Sequence, residues 1–195
     1  ARGARHVREL TEMADEGQKT AVLIMVHWPE AQLFSPDFHT DLEFARAFLE
    51  SRDKVNTIAV SVRWTSNLEL DGELQRCDIP WERIEQEAHD RGSYLVLLEN
   101  DRDRTLEVGA LGELDFPRGT YVYVGSAMAN LTKRIERHKR LRKRHHWHID
   151  RFRNETTFLE ALAIRSSDRL EEELARAIHG LADWSIPGFG ASDSA

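Results

Sequence analysis

The sequence has a single cysteine, Cys77, and no long apolar run in its 195 residues. One cysteine excludes an internal disulfide and a zinc site made of cysteines, and it suits a reducing compartment. The longest clean apolar run, residues 21–26, is far shorter than the ~20 residues that span a membrane. No charged and apolar leader opens the chain. We therefore expect a cytoplasmic protein with no membrane partner.

The charge of the chain is unevenly distributed. The net charge is −7, but residues 131–153 contain ten lysines and arginines against Glu136 and Asp150, a local balance of +8. The other 172 residues therefore sum to −15. A concentrated positive segment is the electrostatic footprint of binding to a phosphate backbone. The sequence thus predicts a basic surface on an otherwise acidic molecule.

Hydrophobic periodicity predicts alternating helices and strands throughout the chain. Before a change of pattern at residues 79–91, it predicts helices at 2–15 and 41–49, a strand covered on both faces at 21–28 and a half-buried strand at 57–64. After that change, it predicts strands at 94–98, 120–124 and 158–164, a hairpin at 106–114, and helices at 130–140 and 169–179. We expect an α/β (α+β) fold with domains at 1–78 and 92–195, joined by a linker helix at 79–91.

Three short segments contain the residue types that phosphodiester hydrolysis requires. They lie at residues 92–94, 123–126 and 133–138. Phosphoryl transfer needs a cation on the phosphate oxygens, a route for a proton of the attacking water, and a metal. Arg134 is the candidate cation, and Tyr94 or Tyr123 the candidate proton acceptor. The metal would need an exposed Asp or Glu, because hard divalent ions prefer oxygen ligands.

The order of these segments resembles the GIY-YIG nuclease superfamily. Gly-Ser-Tyr at 92–94 and Tyr-Val-Gly at 123–125 stand for its two triplets. Its Uri-type branch is similar in three further runs: Tyr-Val-Tyr-Val-Gly-Ser-Ala at 121–127, His-Trp-His-Ile-Asp at 146–150 and Pro-Gly-Phe-Gly-Ala-Ser-Asp at 187–193. The resemblance implies a small three-stranded sheet with flanking helices, and metal-dependent cleavage of one strand.

The resemblance also implies roles for single residues. Tyr94 or Tyr123 would orient or deprotonate water, Arg134 would stabilise the pentavalent phosphate, and His138 would assist proton transfer. Glu171 would hold Mg²⁺ or Mn²⁺, with Asp150 as a rival or second ligand and the adjoining residues 172 and 173 left open. The glycines of tight turns would be Gly92 and Gly125. Contacts with nucleic acid are expected from Lys133, Arg137, Lys139, Arg140, Arg142, Lys143, Arg144, His146 and His148.

Structural interpretations of the same residues stand beside these roles. Strand tyrosines are usually packing residues, and basic runs are usually solvated faces. Acidic residues at 171–173 are also favoured at a helix N-terminus by the helix dipole. The histidines at 145, 146 and 148 lack the matching ligands of a zinc site. Trp147 and Phe152 would either stack on an unpaired base or pack in the core.

The first part of the chain resembles a second family. Residues 2–10, the strand at 21–26 and the helix at 41–48 are similar to the C-terminal half of the sugar fermentation stimulation protein A (SfsA) family. That family is described as DNA-binding or nucleolytic, with a restriction-endonuclease-like core. Its acidic ligands and catalytic lysine lie upstream of the run at 2–10. We therefore expect residues 1–78 to be a partial, structural segment.

The sequence predicts an endonuclease that hydrolyses phosphodiester bonds in DNA, with RNA as the alternative substrate. A second hypothesis is a non-catalytic DNA-binding or regulatory protein that uses the basic segment 133–153. A third is a structural domain that binds another protein. Metal titration separates the first two, because a binding module is indifferent to Mg²⁺. The sequence leaves the oligomeric state open.

Overall fold

The computed structural model describes residues 2–141 and 147–189. It divides into two compact units, Ala1–Ala88 and His89–Ala195, and this boundary falls inside the predicted linker segment 79–91. Helices and small sheets occur in both units, which confirms the predicted α+β class. Within the described ranges, no helix is long and apolar enough to cross a membrane.

The first unit is built around a three-stranded sheet of order β1-β2-β3. β1 runs parallel to β2, which is antiparallel to β3. Its elements are α1 (Arg2–Asp15), β1 (Ala21–Val26), α2 (Leu42–Glu50), β2 (Asn56–Trp64), β3 (Leu70–Arg76) and α3 (Trp81–Glu87). α2 begins where the Asp41 carboxylate accepts a hydrogen bond of 2.9 Å from the backbone N–H of Phe44.

The strand at 21–28 was expected to be covered on both faces, and this prediction is wrong. Residues of β1 alternate between exposed and half-buried, and Leu23 remains 59% exposed. An apolar run indicates a strand, but it does not show whether a second layer of structure covers the outer face. β3 was not predicted, because its sequence LDGELQR shows no apolar alternation, and all seven residues are exposed.

The second unit contains a three-stranded antiparallel sheet of order β7-β4-β8, with β4 in the centre. A separate hairpin pairs β5 with β6. The elements are β4 (Gly92–Asn100), β5 (Arg104–Glu107), β6 (Glu113–Phe116), β7 (Gly119–Ala127), α4 (Leu131–Lys139), α5 (His148–Asn154), β8 (Thr157–Arg165) and α6 (Glu171–Leu181). This is the small sheet with flanking helices that the sequence led us to expect.

The core of the second unit lies on one face of this sheet. Tyr94, Val96 and Leu98 alternate along β4 and are at most 1% exposed. They pack with Leu131 and Ile135 of α4 and with the apolar residues of α5. The core therefore holds α4 and α5, which carry the candidate cations, against the strand that carries Tyr94.

Candidate functional site

A buried hydrogen bond joins two of the predicted catalytic residues. The Tyr94 hydroxyl lies 2.9 Å from Nε2 of His138, and both side chains are almost completely buried. The half-buried Tyr123 lies on the same face of the sheet as Tyr94. Tyr123 pairs with Val96, and Val96 points to the same face as Tyr94 because the two are two residues apart in β4. Its ring centre lies 6.4 Å from that of Tyr94 and 5.7 Å from that of His138.

The two predicted glycines lie in strands rather than in tight turns. Gly125 is paired with Tyr94 across the sheet, and a Cβ atom at residue 125 would lie only 2.6 Å from the Tyr94 hydroxyl. Gly92 begins β4 with a φ of +135°, and a Cβ there would lie 2.2 Å from the carbonyl oxygen of Ile164. Both positions require glycine because of close approach, and Gly125 makes room for the tyrosine that binds His138.

The first turn of α4 is held by a carboxylate from outside the helix. The Asp90 side chain accepts hydrogen bonds from the backbone N–H of Thr132 at 3.0 Å and from its hydroxyl at 2.6 Å. A carboxylate at this end satisfies N–H groups that have no partner within the helix and complements the helix dipole. It fixes the start of the helix that carries Arg134 and His138.

The last turn of α4 is held by a buried arginine from α5. Arg153, which is 5% exposed, donates to the carbonyl oxygens of His138 at 3.1 Å, Lys139 at 3.0 Å and Thr156 at 2.8 Å. A cation at the C-terminus of a helix is favourable because the free carbonyl groups carry partial negative charge. Burial lowers the pKa of Arg153 from its usual value. Arg153 thus fixes the backbone of the turn that carries His138.

Two arginines of α4 contact one tryptophan. The guanidinium carbons of Arg134 and Arg137 lie 4.3 and 4.2 Å from the centre of a ring of Trp147. Arg137 also donates hydrogen bonds of 3.1 and 2.8 Å to the two carboxylate oxygens of Asp150, which is completely buried. Asp150 further accepts from the Trp147 backbone N–H at 3.2 Å. Asp150 thereby anchors Arg137, while Arg134 remains half-buried against the indole.

Glu171 is held at the opposite face of the sheet from Tyr94. Its carboxylate accepts a short hydrogen bond from the hydroxyl of Ser126. Ser126 pairs with Ser93, whose hydroxyl accepts a hydrogen bond of 3.2 Å from the backbone N–H of Leu170. Both serines directly neighbour the Tyr94–Gly125 pair in sequence, so they point to the other face. The predicted metal ligand and the Tyr94–His138 pair therefore lie on different sides of the sheet.

A cavity of about 930 Å³ at β7 is lined by both Tyr123 and Glu171. We call it the β7 cavity, because most of its lining comes from that edge strand, α6 and the segment after α6, with further residues from β4 and α5. Side chains from both faces of β7 contribute, including Val122 and Tyr123. Of the predicted catalytic and metal-binding residues, Tyr123 and Glu171 line this cavity, whereas Tyr94, Arg134, His138 and Asp150 are placed elsewhere.

Carboxylates are the groups through which this site could hold a divalent ion. Among the described residues, no group of three or more His, Cys, Asp or Glu side chains is arranged to hold a metal. Asp150 is buried against Arg137, whereas Glu171 is half-buried and faces the β7 cavity. Mg²⁺ commonly keeps several waters and is bound through one or two carboxylates plus substrate phosphates. Glu171 fits this mode of binding.

The predicted nucleic-acid contacts fall into three groups. Lys133, Lys139 and Arg140 are exposed on or next to α4. Arg137 is engaged by Asp150, and the half-buried His148 begins α5, a helix that was not predicted. The remaining candidates lie outside the described residues: Arg142, Lys143, Arg144 and His146.

Sequence reasoning missed the residues that hold the site in place. Asp90, Ser126 and Arg153 each bind the backbone or the side chain of a candidate site element. Asp90 lies 42 residues before Thr132, and only the fold brings the two residues together. The sequence therefore carried no signal for this contact. The Arg153 contacts are with carbonyl oxygens that every residue carries, so no residue pattern could have revealed them.

Comparison with known proteins relates each part of the chain to a family. The model described as "Sugar fermentation stimulation protein RE domain" matches residues 1–67, and "Domain of unknown function DUF123" matches residues 93–195. DUF123 is a GIY-YIG-like family, in agreement with the order of motifs in the second unit. No solved structure is significantly similar to the chain.

Three curated relatives, each a "Sugar fermentation stimulation protein homolog", are similar to part of the chain. The Sulfurisphaera tokodaii protein is 31% identical over 78 residues, which are 39% of this chain and 35% of the relative. The Natranaerobius thermophilus protein is 34% identical over 53 residues, which are 27% of this chain. The Methanosphaera stadtmanae protein is 40% identical over 50 residues, which are 26% of this chain. These matches cover 22% and 21% of the relatives, so the chain spans about a third of their length or less.

The order of the two matches gives the organisation of the chain. An SfsA-type segment comes first, and a GIY-YIG-like domain follows it in the same polypeptide. The DUF123 model covers more than half of the 195 residues. The chain therefore belongs to the DUF123 family.

Proposed function

We propose that the second unit is a metal-dependent endonuclease of the Uri-type branch of GIY-YIG nucleases, and that it hydrolyses phosphodiester bonds in DNA. The observation that carries this proposal is the Tyr94–His138 hydrogen bond, with Tyr123 beside it on the same sheet face. Buried polar pairs of this kind are costly unless they are well hydrogen-bonded. The match to a GIY-YIG-like family supports the same activity.

Exposure divides the work between the two tyrosines. Tyr94 is 1% exposed, so a water molecule or a phosphate does not reach it without movement of the chain. Tyr123 is half-buried and lines the β7 cavity. We therefore assign to Tyr123 the orientation and deprotonation of the attacking water. The rings of Tyr94 and His138 lie next to the Tyr123 ring and hold it in place. Their hydroxyl and imidazole groups can also exchange a proton.

Arg134 is the side chain that we assign to binding of the scissile phosphate. A row of ring contacts connects it to Tyr123, because the His138 ring lies 5.7 Å from both the Tyr123 and the Trp147 rings, and Arg134 stacks on Trp147. A guanidinium pairs well with phosphate oxygens through its planar array of donors. In the pentavalent transition state, Arg134 would stabilise the additional negative charge.

Glu171 is the residue that would hold Mg²⁺ or Mn²⁺, at the wall of the β7 cavity. When bound, such an ion lowers the pKa of a bound water and neutralises charge on the phosphate. Ser126 fixes the orientation of the Glu171 carboxylate through its hydrogen bond. In the variant Glu171→Gln, an amide replaces the carboxylate, so the side chain keeps its shape and loses its charge.

Cleavage of plasmid and branched DNA tests this proposal. We expect wild-type protein to nick DNA with Mg²⁺ or Mn²⁺ and to lose this activity in a chelator. Arg134→Ala should slow cleavage by about 10²- to 10³-fold, the usual effect of removing one donor to a charged transition state. Arg102→Ala, at an exposed arginine of the same unit to which no role is assigned, is the matched control and should retain most activity. Absence of metal-dependent cleavage by the wild type, or an unaffected Arg134→Ala, would contradict the proposal.

A second candidate function is DNA binding without cleavage, in a regulatory role. It is favoured by Asp150, whose carboxylate is committed to Arg137 and is fully buried. In this case, the exposed cations of α4 would bind phosphates, and affinity would fall with salt but not depend on Mg²⁺. A metal titration of DNA affinity and of cleavage therefore distinguishes the two functions. Repeating both assays with RNA of the same sequence tests the alternative substrate.

A further inference from the structure

The β7 cavity exposes apolar surface that phosphodiester hydrolysis alone does not require. No residue of α6, which forms one of its walls, is buried. Val122 on β7 is 37% exposed, and Trp184, after α6, is 42% exposed. Apolar surface gathered in a concave site is typical of ligand binding, and the volume of about 930 Å³ lies within the usual range of such sites.

Trp184 is held in a defined position although much of its ring faces solvent. It packs directly against the backbone at Gly119, where a Cβ atom would lie 2.7 Å from Cη2 of the indole. It also makes an edge contact with Tyr121, with ring centres 6.1 Å apart and planes at 77°. An aromatic ring that is both fixed and accessible can stack on another planar group at little cost in conformational entropy.

The charges around the cavity favour a planar ligand flanked by phosphate over a long run of phosphates. Three basic side chains line it, together with four acidic ones. The basic set is Arg169, Arg176 and His179, and the acidic set is Glu171, Glu172, Glu173 and Asp183. A continuous phosphate backbone along this lining would meet more carboxylates than cations. An uncharged aromatic ring in the cavity avoids this repulsion, while Arg169 and Arg176 remain available to phosphates on either side.

We propose that the β7 cavity binds an unpaired nucleobase of the DNA substrate, stacked on Trp184. The identity of the substrate as DNA rests on the proposed function, and the cavity is continuous with Tyr123 and Glu171 of that site. A base within a duplex is paired at its edge and stacked on both faces, so it enters a protein cavity only after unpairing. The preferred substrate is therefore DNA with an unpaired nucleotide next to the cut, as in a single strand, a flap or a branch.

The test uses a single-stranded DNA oligonucleotide that contains 2-aminopurine, mixed with the full chain in a chelator so that binding is measured without cleavage. We expect the fluorescence of 2-aminopurine to change when its ring stacks in the cavity. Trp184→Ala should raise the Kd by about 5- to 150-fold, the range measured for loss of one base–aromatic stack. Trp184→Phe should restore most of the affinity. Trp28→Ala is the matched control, because Trp28 is 64% exposed in the first unit.

A second variant tests the same inference even if the Trp184→Ala protein fails to fold. Arg176 is exposed, so Arg176→Ala should fold normally. If Arg176 contacts a phosphate beside the stacked base, the slope of log Kd against log salt should fall by about 0.7, the value for one phosphate of a single strand. An unchanged slope, or an affinity of Trp184→Ala equal to that of the wild type, would overturn the inference. So would an equal fluorescence change with the intact duplex.

The outcomes for the cavity and for the proposed function can be separated. Metal-dependent cleavage without any change of 2-aminopurine fluorescence would refute the base-binding cavity and leave the nuclease proposal standing. A fluorescence change that depends on Trp184, without cleavage in Mg²⁺ or Mn²⁺, would establish the binding site and refute the nuclease proposal.

Discussion

Replacing Gly125 by alanine should separate Tyr94 from His138. The new Cβ atom would lie 2.6 Å from Cζ and from the hydroxyl oxygen of Tyr94. Non-bonded atoms of this kind prefer about 3.5–4.0 Å, so the ring must move by roughly 1 Å. We expect this movement to break the 2.9 Å hydrogen bond between the hydroxyl and Nε2 of His138. The substitution therefore acts on the central contact of the candidate site from the neighbouring strand.

The cost of this substitution follows from the burial of Tyr94. Forcing an extra methyl group into a packed core costs about 1–3 kcal/mol, and loss of the hydrogen bond adds about 1 kcal/mol. We expect the free energy of unfolding of the second unit to fall by about 2–4 kcal/mol. Hydrogen exchange of the amides in β4 measures this value without a contribution from the first unit.

The matched control for Gly125→Ala is Gly180→Ala. Gly180 lies in α6, and a Cβ atom added there would meet no neighbouring atom within 4 Å, so alanine should stabilise the helix by up to about 1 kcal/mol. Tyr94→Leu in the Gly125→Ala protein should relieve the clash and produce a coupling energy of at least about 1 kcal/mol. An unchanged exchange rate in β4 of Gly125→Ala would refute the steric explanation of Gly125.

Three further predictions concern charged groups. Asp150→Ala removes the two hydrogen bonds from the half-buried Arg137 and should lower the free energy of unfolding by about 1.5–3 kcal/mol, measured by urea denaturation. Arg153→Met removes three hydrogen bonds to carbonyl oxygens and should increase hydrogen exchange in the last turn of α4. The pKa of Glu43 is lowered from 4.5 to about 2, chiefly by the hydrogen bond that its carboxylate accepts from the Arg8 guanidinium. The ionised carboxylate therefore stabilises the fold above about pH 4.5, and this stabilisation is lost as the pH falls towards 2, which stability measurements on Glu43→Gln should show.

Periodicity predicted the elements that carry the candidate site, because each has a regular apolar pattern. The strand that contains Tyr94 and the helix that contains Arg134 and His138 occur within a few residues of their predicted bounds. The sequence predicted that the two tyrosines, Arg134 and His138 converge on one concave surface. The structure joins Tyr94 to His138, but both side chains are buried, and Arg134 lies outside the β7 cavity that Tyr123 lines. These features depend on local pattern and on the known order of the motifs.

The position of Glu171 could not be predicted, because it depends on which face of a strand each side chain takes. Neighbouring residues of a strand point to opposite faces, and the helix that carries Glu171 packs over the face of Ser93 and Ser126. Sequence spacing alone does not determine that choice. The helix α5 was also missed, because seven residues with three basic side chains present too short an apolar pattern. The role of Glu171 as a metal ligand stays a prediction.

The stacking of Arg134 and Arg137 on one indole ring has a consequence for how the family changes over evolutionary time. Loss of the ring at Trp147 would remove a favourable contact from two cations in a single mutational step. Neither arginine is free to change in response, because Arg134 has a proposed role in cleavage and Arg137 is bound by Asp150. Among homologues that keep both arginines, we therefore expect an aromatic residue at 147.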